Sequence, residues 1–177
     1  MAFPVPPRLA LPVSPYEKGG YVFRERLKRR FWLGATHLGE DIKATGGTAI
    51  SAIGAGEILT AEIRAGSAGH KNWGGLVIIG HRHRQTNQNF YSIYGHLRNL
   101  SVRPGSLVAG GQLVGQVASE LTPENGWWQI PHLHFAIYTG PWRGLPLPGF
   151  KRTENWRLRL SWWQPPREFI AQYNQSE

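Results

Sequence analysis

Glycine cuts the apolar stretches of this chain into short pieces, and that interruption limits the fold more than any other feature. "GLVIIGH" (75–81), "NFYSIYGHL" (89–97), "SLV" (106–108), "QLVGQVA" (112–118) and "HLHFAIY" (132–138) are each bounded by Gly, Pro, Ser or Asn. None is long enough for an ordinary helix, and their β-branched and aromatic content suits strands. Short strands separated by glycine turns predict a compact, mainly antiparallel β domain. "TAISAI" (48–53) and "GEILTAEI" (56–63) flank "GAG" and read as a hairpin. "PPREFIAQY" (165–173) opens on proline and predicts a last short helix. "NWRLRLSWW" (155–163) alternates and reads as an edge strand, whereas "ERLKRRFW" (25–32) suits a short basic helix or a strand edge equally. No internal repeat is visible.

Length and composition set the outer bounds. At 177 residues the chain suits one domain. A Pro-rich arm over 1–20 precedes a single domain over 21–177. There is no cysteine, so neither a disulfide framework nor a thiolate metal site is available. No run is apolar enough to span a bilayer, and "MAFPVPPRLALPVSP" does not read as an export signal. Twenty basic against eleven acidic residues give a charge of +9. That surplus favours polyanions: nucleic acid, anionic lipid, or a wall polymer carrying carboxylates and phosphates. A merely basic soluble surface accounts for it equally well.

The histidines are more selective. His132 and His134 lie two apart in a strand-like run, so both imidazoles point to one face, with Cα atoms ~6.5 Å apart. Leu133 and Phe135 then point into the opposite layer. Two imidazoles on one face of an apolar strand require polar partners or a metal. His37 and Asp41 are four apart in "HLGED". A straight strand would separate them by ~13 Å; a bend at Gly39 would bring them to one point. His96 ends an aromatic strand in "YGHL". Each fragment alone is as well explained by a hydrogen-bonded or capping histidine. Together they supply two His and one Asp for a metal, with two further His nearby. That donor formula suits zinc with an open position. The helical motif HExxH is absent, so histidine must handle protons.

In order and context these residues resemble the lysostaphin-type zinc metallopeptidases, which cut peptide bonds in bacterial peptidoglycan. "HLGED", "GGTAISAIGAGEI", "YGHL", "VRPGSLVAGGQLVGQV" and "HLHF" carry the resemblance, which runs from about Trp32 to Tyr138. It implies an all-β, sandwich-like domain with a groove over one sheet and few short helices. It implies one Zn²⁺ held by His37, Asp41 and His134, with His96 and His132 as the catalytic histidines. It also implies peptidoglycan peptide as substrate and hence the cell envelope or exterior as the place of action. Without a visible export signal, a cytoplasmic location is the alternative. Glu40, next to Asp41, is expected to face away. The chain departs from the family pattern at Ala136, where Glu is frequent, at "ELTPENGWWQIP" before HxH, and over 139–163, which is Trp- and Arg-rich. Trp127 and Trp128 are candidates for lining the groove, with core packing the competing role.

Two other readings compete with a zinc endopeptidase. One is a non-catalytic, peptidoglycan-binding regulator of the same fold. The other, a nucleic-acid-binding β domain, leaves the ordered histidines unexplained, so nucleic acid is not expected as a partner. Nothing in the sequence sets the oligomeric state. His81 and His83 in "GHRH" read as a solvated basic turn in preference to a second metal site, and His70 as a loop residue.

Overall fold

The computed structural model describes residues 2–27, 34–144, 147–151 and 159–175. Among these the chain forms β1 (Thr36–His37), β2 (Glu40–Lys43), β3 (Ala49–Ser51), β4 (Gly56–Arg64), β5 (Gly74–Arg82) and β6 (Asn89–Arg98). There follow β7 (Leu107–Val108), β8 (Leu113–Val117), β9 (His132–Tyr138), β10 (Phe150–Lys151), β11 (Trp163–Gln164) and one α-helix, α1 (Pro166–Gln175). The pairings are antiparallel, as the glycine-punctuated pattern predicts.

One nine-stranded sheet carries the domain. Its spine runs β9, β6, β5, β4, and β9 is the strand that carries His132 and His134. β6 lies along one edge of it, with Gly95 opposite His134. The other edge is shared: β2 covers its first half, with Asp41 opposite His134, and β11 covers its end, with Trp163 opposite Tyr138. All seven residues of β9 are buried, because both faces of the sheet are covered. Leu133, Phe135 and Ile137 pack with Ile42, Ile79 and Tyr94 on one face. Ala136 and Tyr138 pack with Ile78, Tyr91 and Trp163 on the other. The period of two thus separates the aliphatic layer from the face that carries His132 and His134.

The N-terminal residues lie on the first of these layers. Leu9 and Val13 are buried in it, and Lys18 bridges to Ile42. Helix α1 pins this segment. It buries Pro166, Ile170 and Tyr173 at helical spacing, and Asn174 exchanges hydrogen bonds of 2.9 and 2.8 Å with the backbone of Leu9. None of the helices among the described residues is long and apolar enough to cross a membrane.

Two local expectations are corrected. The hairpin across Gly54–Gly56 does not form: β3 pairs with β8, whereas β4 pairs with β5 and β7. The space a hairpin partner would need is taken by the N-terminal segment. Ala10 donates to the Ile53 carbonyl at 2.8 Å, and a Cβ on Gly54 would lie 2.7 Å from Leu9 Cδ2. The alternating "NWRLRLSWW" gives only Trp163 to a strand; 160–162 form a 3₁₀ turn, and 155–158 lie outside the described residues. Most of "ERLKRRFW" also lies outside them.

Candidate metal centre

Three strands that differ in hydrogen-bonding partner bring three side chains to one point. β1 pairs with β10, and β2 with β9, so the chain changes partner between His37 and Glu40. Gly39 sits at that change. Its role is clearance: an added Cβ would lie 2.5 Å from the Phe135 carbonyl oxygen and 2.7 Å from His134 Nε2. No side chain fits there. His37 and Asp41 consequently point at His134. His37 Nε2 lies 3.0 Å from His134 Nδ1 and 3.1 Å from Asp41 Oδ1, and His134 Nδ1 lies 3.1 Å from the same carboxylate oxygen. The three atoms form a nearly equilateral triangle, and the three residues form a group able to hold a metal ion.

Residues 20–22 orient two members of this triangle. The Tyr21 N–H donates to Asp41 Oδ2 at 3.0 Å, which leaves Oδ1 for the centre. His37 Nδ1 lies 3.1 Å from the Val22 carbonyl, so that nitrogen carries the proton and Nε2 presents a lone pair. The donor set therefore holds more lone pairs than protons. His37 Nε2 and Asp41 Oδ1 are both acceptors, and a single proton on His134 Nδ1 cannot satisfy every contact. A divalent cation relieves that repulsion, and imidazole nitrogen with carboxylate oxygen matches the zinc preference. His134 Nε2, on the far side of the ring, is buried without a partner among the described residues.

Burial sets the charge states. It works against ionisation of Asp41, but the contacts with His134 and then His37 outweigh it and hold that carboxyl well below its usual range. Burial pulls His134 down to about 4. Burial first, then repulsion by His132 and His134, pushes His96 well below the usual imidazole range, so it is neutral at pH 7.

His96 and His132 stand beside the triangle. Their ring centroids are 4.5 Å apart. His132 Nδ1 lies 2.8 Å from the Ile130 carbonyl, and its Nε2 is 3.8 Å from Asp41 Oδ1. His96 is held at φ +66°, a left-handed conformation uncommon outside glycine. Its N–H donates to the Trp73 carbonyl, and its own carbonyl accepts from Ala118. All five residues singled out from the sequence therefore meet at one place. Glu40 faces away, as expected: it accepts the Tyr16 hydroxyl at 2.5 Å on the opposite side of β2.

Two cavities flank the centre, of about 190 Å³ and about 270 Å³, and His96, His134, Trp128 and Phe150 line both. Trp128 thus faces the groove, whereas Trp127 is not among the lining residues. Three aromatics escaped the sequence reading. Trp73 lies edge-on to His134 at 4.9 Å, Phe150 lies 5.0 Å from His37, and Tyr21 lies 5.7 Å from His37. Only Trp73 left a sequence signal, an aromatic directly before Gly74–Gly75. The solvated turn expected at His81 is also corrected. His81 is fully buried, between the Ala55 carbonyl and Ser92 Oγ, both at 2.8 Å, and stacks on Phe90. His83 packs on Tyr173, and His70 is an exposed turn residue.

The model of the family described as Peptidase family M23 matches residues 35–145, which include all five site residues. Among solved structures, a zinc-containing peptidase from Vibrio cholerae is similar over 75% of this chain at 21% identity and TM-score 0.57. The antimicrobial peptidase lysostaphin from Staphylococcus simulans is similar over 92%, at 22% identity and TM-score 0.55. The chain spans only 37% and 52% of those two chains, respectively. A variant of the catalytic domain of the prophage-encoded M23 protein EnpA from Enterococcus faecalis is similar over 72% of this chain and 84% of its own. Its identity is 26% and its TM-score 0.52.

Proposed function

The chain belongs to peptidase family M23, and on that footing we propose that it is a zinc-dependent metalloendopeptidase hydrolysing peptide bonds of bacterial cell-wall peptidoglycan. The observation that carries this reading is the triangle of His37 Nε2, Asp41 Oδ1 and His134 Nδ1 at 3.0–3.1 Å, with two more histidines beside it in a groove. Similarity to a zinc-containing peptidase supports the metal, similarity to an antimicrobial peptidase supports the peptide-hydrolysing activity, and the wall substrate rests on the sequence resemblance to lysostaphin-type enzymes.

When bound, zinc would supply a Lewis acid that polarises the scissile carbonyl and makes water more acidic. His37, Asp41 and His134 would hold it, with their orientations fixed by Val22, Tyr21 and the Gly39 clearance. His132 is the proton acceptor for the attacking water. Its Nδ1–H is committed to Ile130, so Nε2 is the bare nitrogen, and that nitrogen faces the centre. The single N–H of neutral His96 is drawn to the Asn125 backbone, so its other nitrogen is a second proton acceptor beside His132. Either histidine can pass the proton on to the leaving amine. Trp128 and Phe150 shield the centre from bulk water. A peptidoglycan substrate places this activity in the cell envelope or outside the cell, and the net charge of +9 favours residence on an anionic wall.

Zinc-loaded protein incubated with purified peptidoglycan should release soluble fragments and expose new amino groups. A chelator should abolish the release, and added zinc should restore it. A folded, zinc-loaded sample that binds the wall without exposing amines would show a non-catalytic wall binder instead.

A further inference from the structure

The two cavities beside the centre differ in charge. The larger is lined by Glu25, together with exposed Gln129 and Ile130. The smaller is lined by Lys71 and Asn72. The two share His96, His134, Trp128 and Phe150, so they are halves of one groove that meet at the metal ligands. Among the described residues lining either half, Glu25 is the only acid apart from Asp41 at the centre, and Lys71 is the only fixed cation.

Among the described residues neither charge is neutralised. Among the described residues neither Glu25 nor Lys71 forms an ion pair. Glu25 spends one oxygen on the Val22 N–H at 3.0 Å and keeps the other. Lys71 donates to the Trp127 carbonyl and keeps two of its three N–H donors. Both side chains are half-buried, so their charges act through a medium less screening than bulk water.

Resting on the peptidase reading above, we propose that this groove selects peptides by polarity: Glu25 receives a substrate ammonium on one side of the scissile bond, and Lys71 receives a substrate carboxylate on the other. The preferred substrate is a zwitterionic peptide segment, such as a wall stem peptide with a free amino group and a free carboxyl group. A neutral crosslink peptide gains nothing from either residue. Glu25 also has a structural role open to it, since it holds Val22, whose carbonyl orients His37. The test must therefore separate substrate binding from positioning.

The experiment titrates zinc-loaded protein with alanine peptides of four to six residues, with the amino end free or acetylated and the carboxyl end free or amidated. Binding is read from tryptophan fluorescence immediately after mixing, since Trp73 and Trp128 line the groove. For at least one length, acetylation should weaken binding to the wild type about fivefold, and amidation should do the same. Glu25→Gln should lose the response to acetylation but keep the response to amidation; Lys71→Gln should show the reverse. A structural role for Glu25 would weaken all four peptides alike and leave the acetylation response intact. That result, or binding by the wild type that ignores both end groups, or no binding at any length, overturns the proposal. Amine release from peptidoglycan by the same samples is scored separately. A catalyst indifferent to end charge refutes only the polarity, and charge-selective binding without amine release refutes only the peptidase reading.

Discussion

Asp41 and His134 are direct Cα partners in the β2–β9 ladder, and their side chains meet at 3.1 Å on the face opposite Leu133 and Phe135. An antiparallel ladder fixes such a pair as rigidly as any local element can. The geometry of this pair is therefore a property of the sheet and does not depend on a loop settling into place. Asp41→Asn keeps the shape and the Tyr21 contact but removes the charge. Zinc affinity, measured by competition with a chromophoric chelator, should fall by more than the roughly 100-fold that loss of an outer partner costs. An unchanged affinity would show that zinc, if bound, sits elsewhere.

Gly39 tests the clearance argument. A methyl group there meets the Phe135 carbonyl oxygen, His134 Nε2 and Ala136 Cβ, all within 2.9 Å. Two of these belong to backbone or to a packed strand and cannot swing aside. Gly39→Ala should cost about 1–3 kcal/mol of stability in denaturant unfolding and should also lower zinc affinity, because His134 is one of the groups displaced. Loss of stability with normal zinc affinity would mean that the strain relaxes away from the ligands.

The sequence exposed this site unevenly, and the reasons are physical. His132 and His134 were legible because strand periodicity is strict: two apart means one face. His37 and Asp41 are legible as a pair, but a bend accounts for only part of what Gly39 does. A bend can be read from a sequence, whereas a glycine that exists to let another strand's histidine pass cannot. Trp73 and Phe150 reach the centre from segments without periodicity. His81 ends an apolar run beside three more polar residues, which is the pattern of a solvated turn; its burial depends on Ala55 and Ser92, which only the folded sheet supplies. The false hairpin at Gly54–Gly56 has the same origin, since local turn chemistry says nothing about an N-terminal segment that occupies the space.

The two histidines outside the triangle should separate chemistry from metal binding. His132→Ala and His96→Ala remove neither His37, Asp41 nor His134, so each variant should retain about one zinc per chain. Amine release from peptidoglycan should fall by about 10²–10⁴-fold in each. The double variant should fall little further than the worse single one if both act on the same proton path. Zinc loss in either variant would instead make that histidine a ligand.

His81 makes the acid sensitivity of the fold testable away from the candidate metal centre. Burial depresses its pKa to about 4, against about 6.5 for an exposed imidazole. As pH falls below about 6.5, the unfolded chain takes up a proton at this residue, and the folded chain does not until about pH 4. The unfolded state binds more protons throughout that window, so stability falls with pH across it, and is unaffected by this group above it. The total is about 3 kcal/mol. His81→Gln cannot titrate, yet it can still donate to the Ala55 carbonyl and meet Ser92. It should be less stable than the wild type at pH 7, where the packed imidazole is neutral and intact. The gap between the two proteins, measured by urea unfolding of zinc-free samples, should then narrow by about 3 kcal/mol between pH 7 and pH 4. Other titrating groups, His134 included, are common to both proteins and cancel in that difference. A gap that stays constant over this range would mean that His81 is protonated in the folded state or that its surroundings open to water before it titrates.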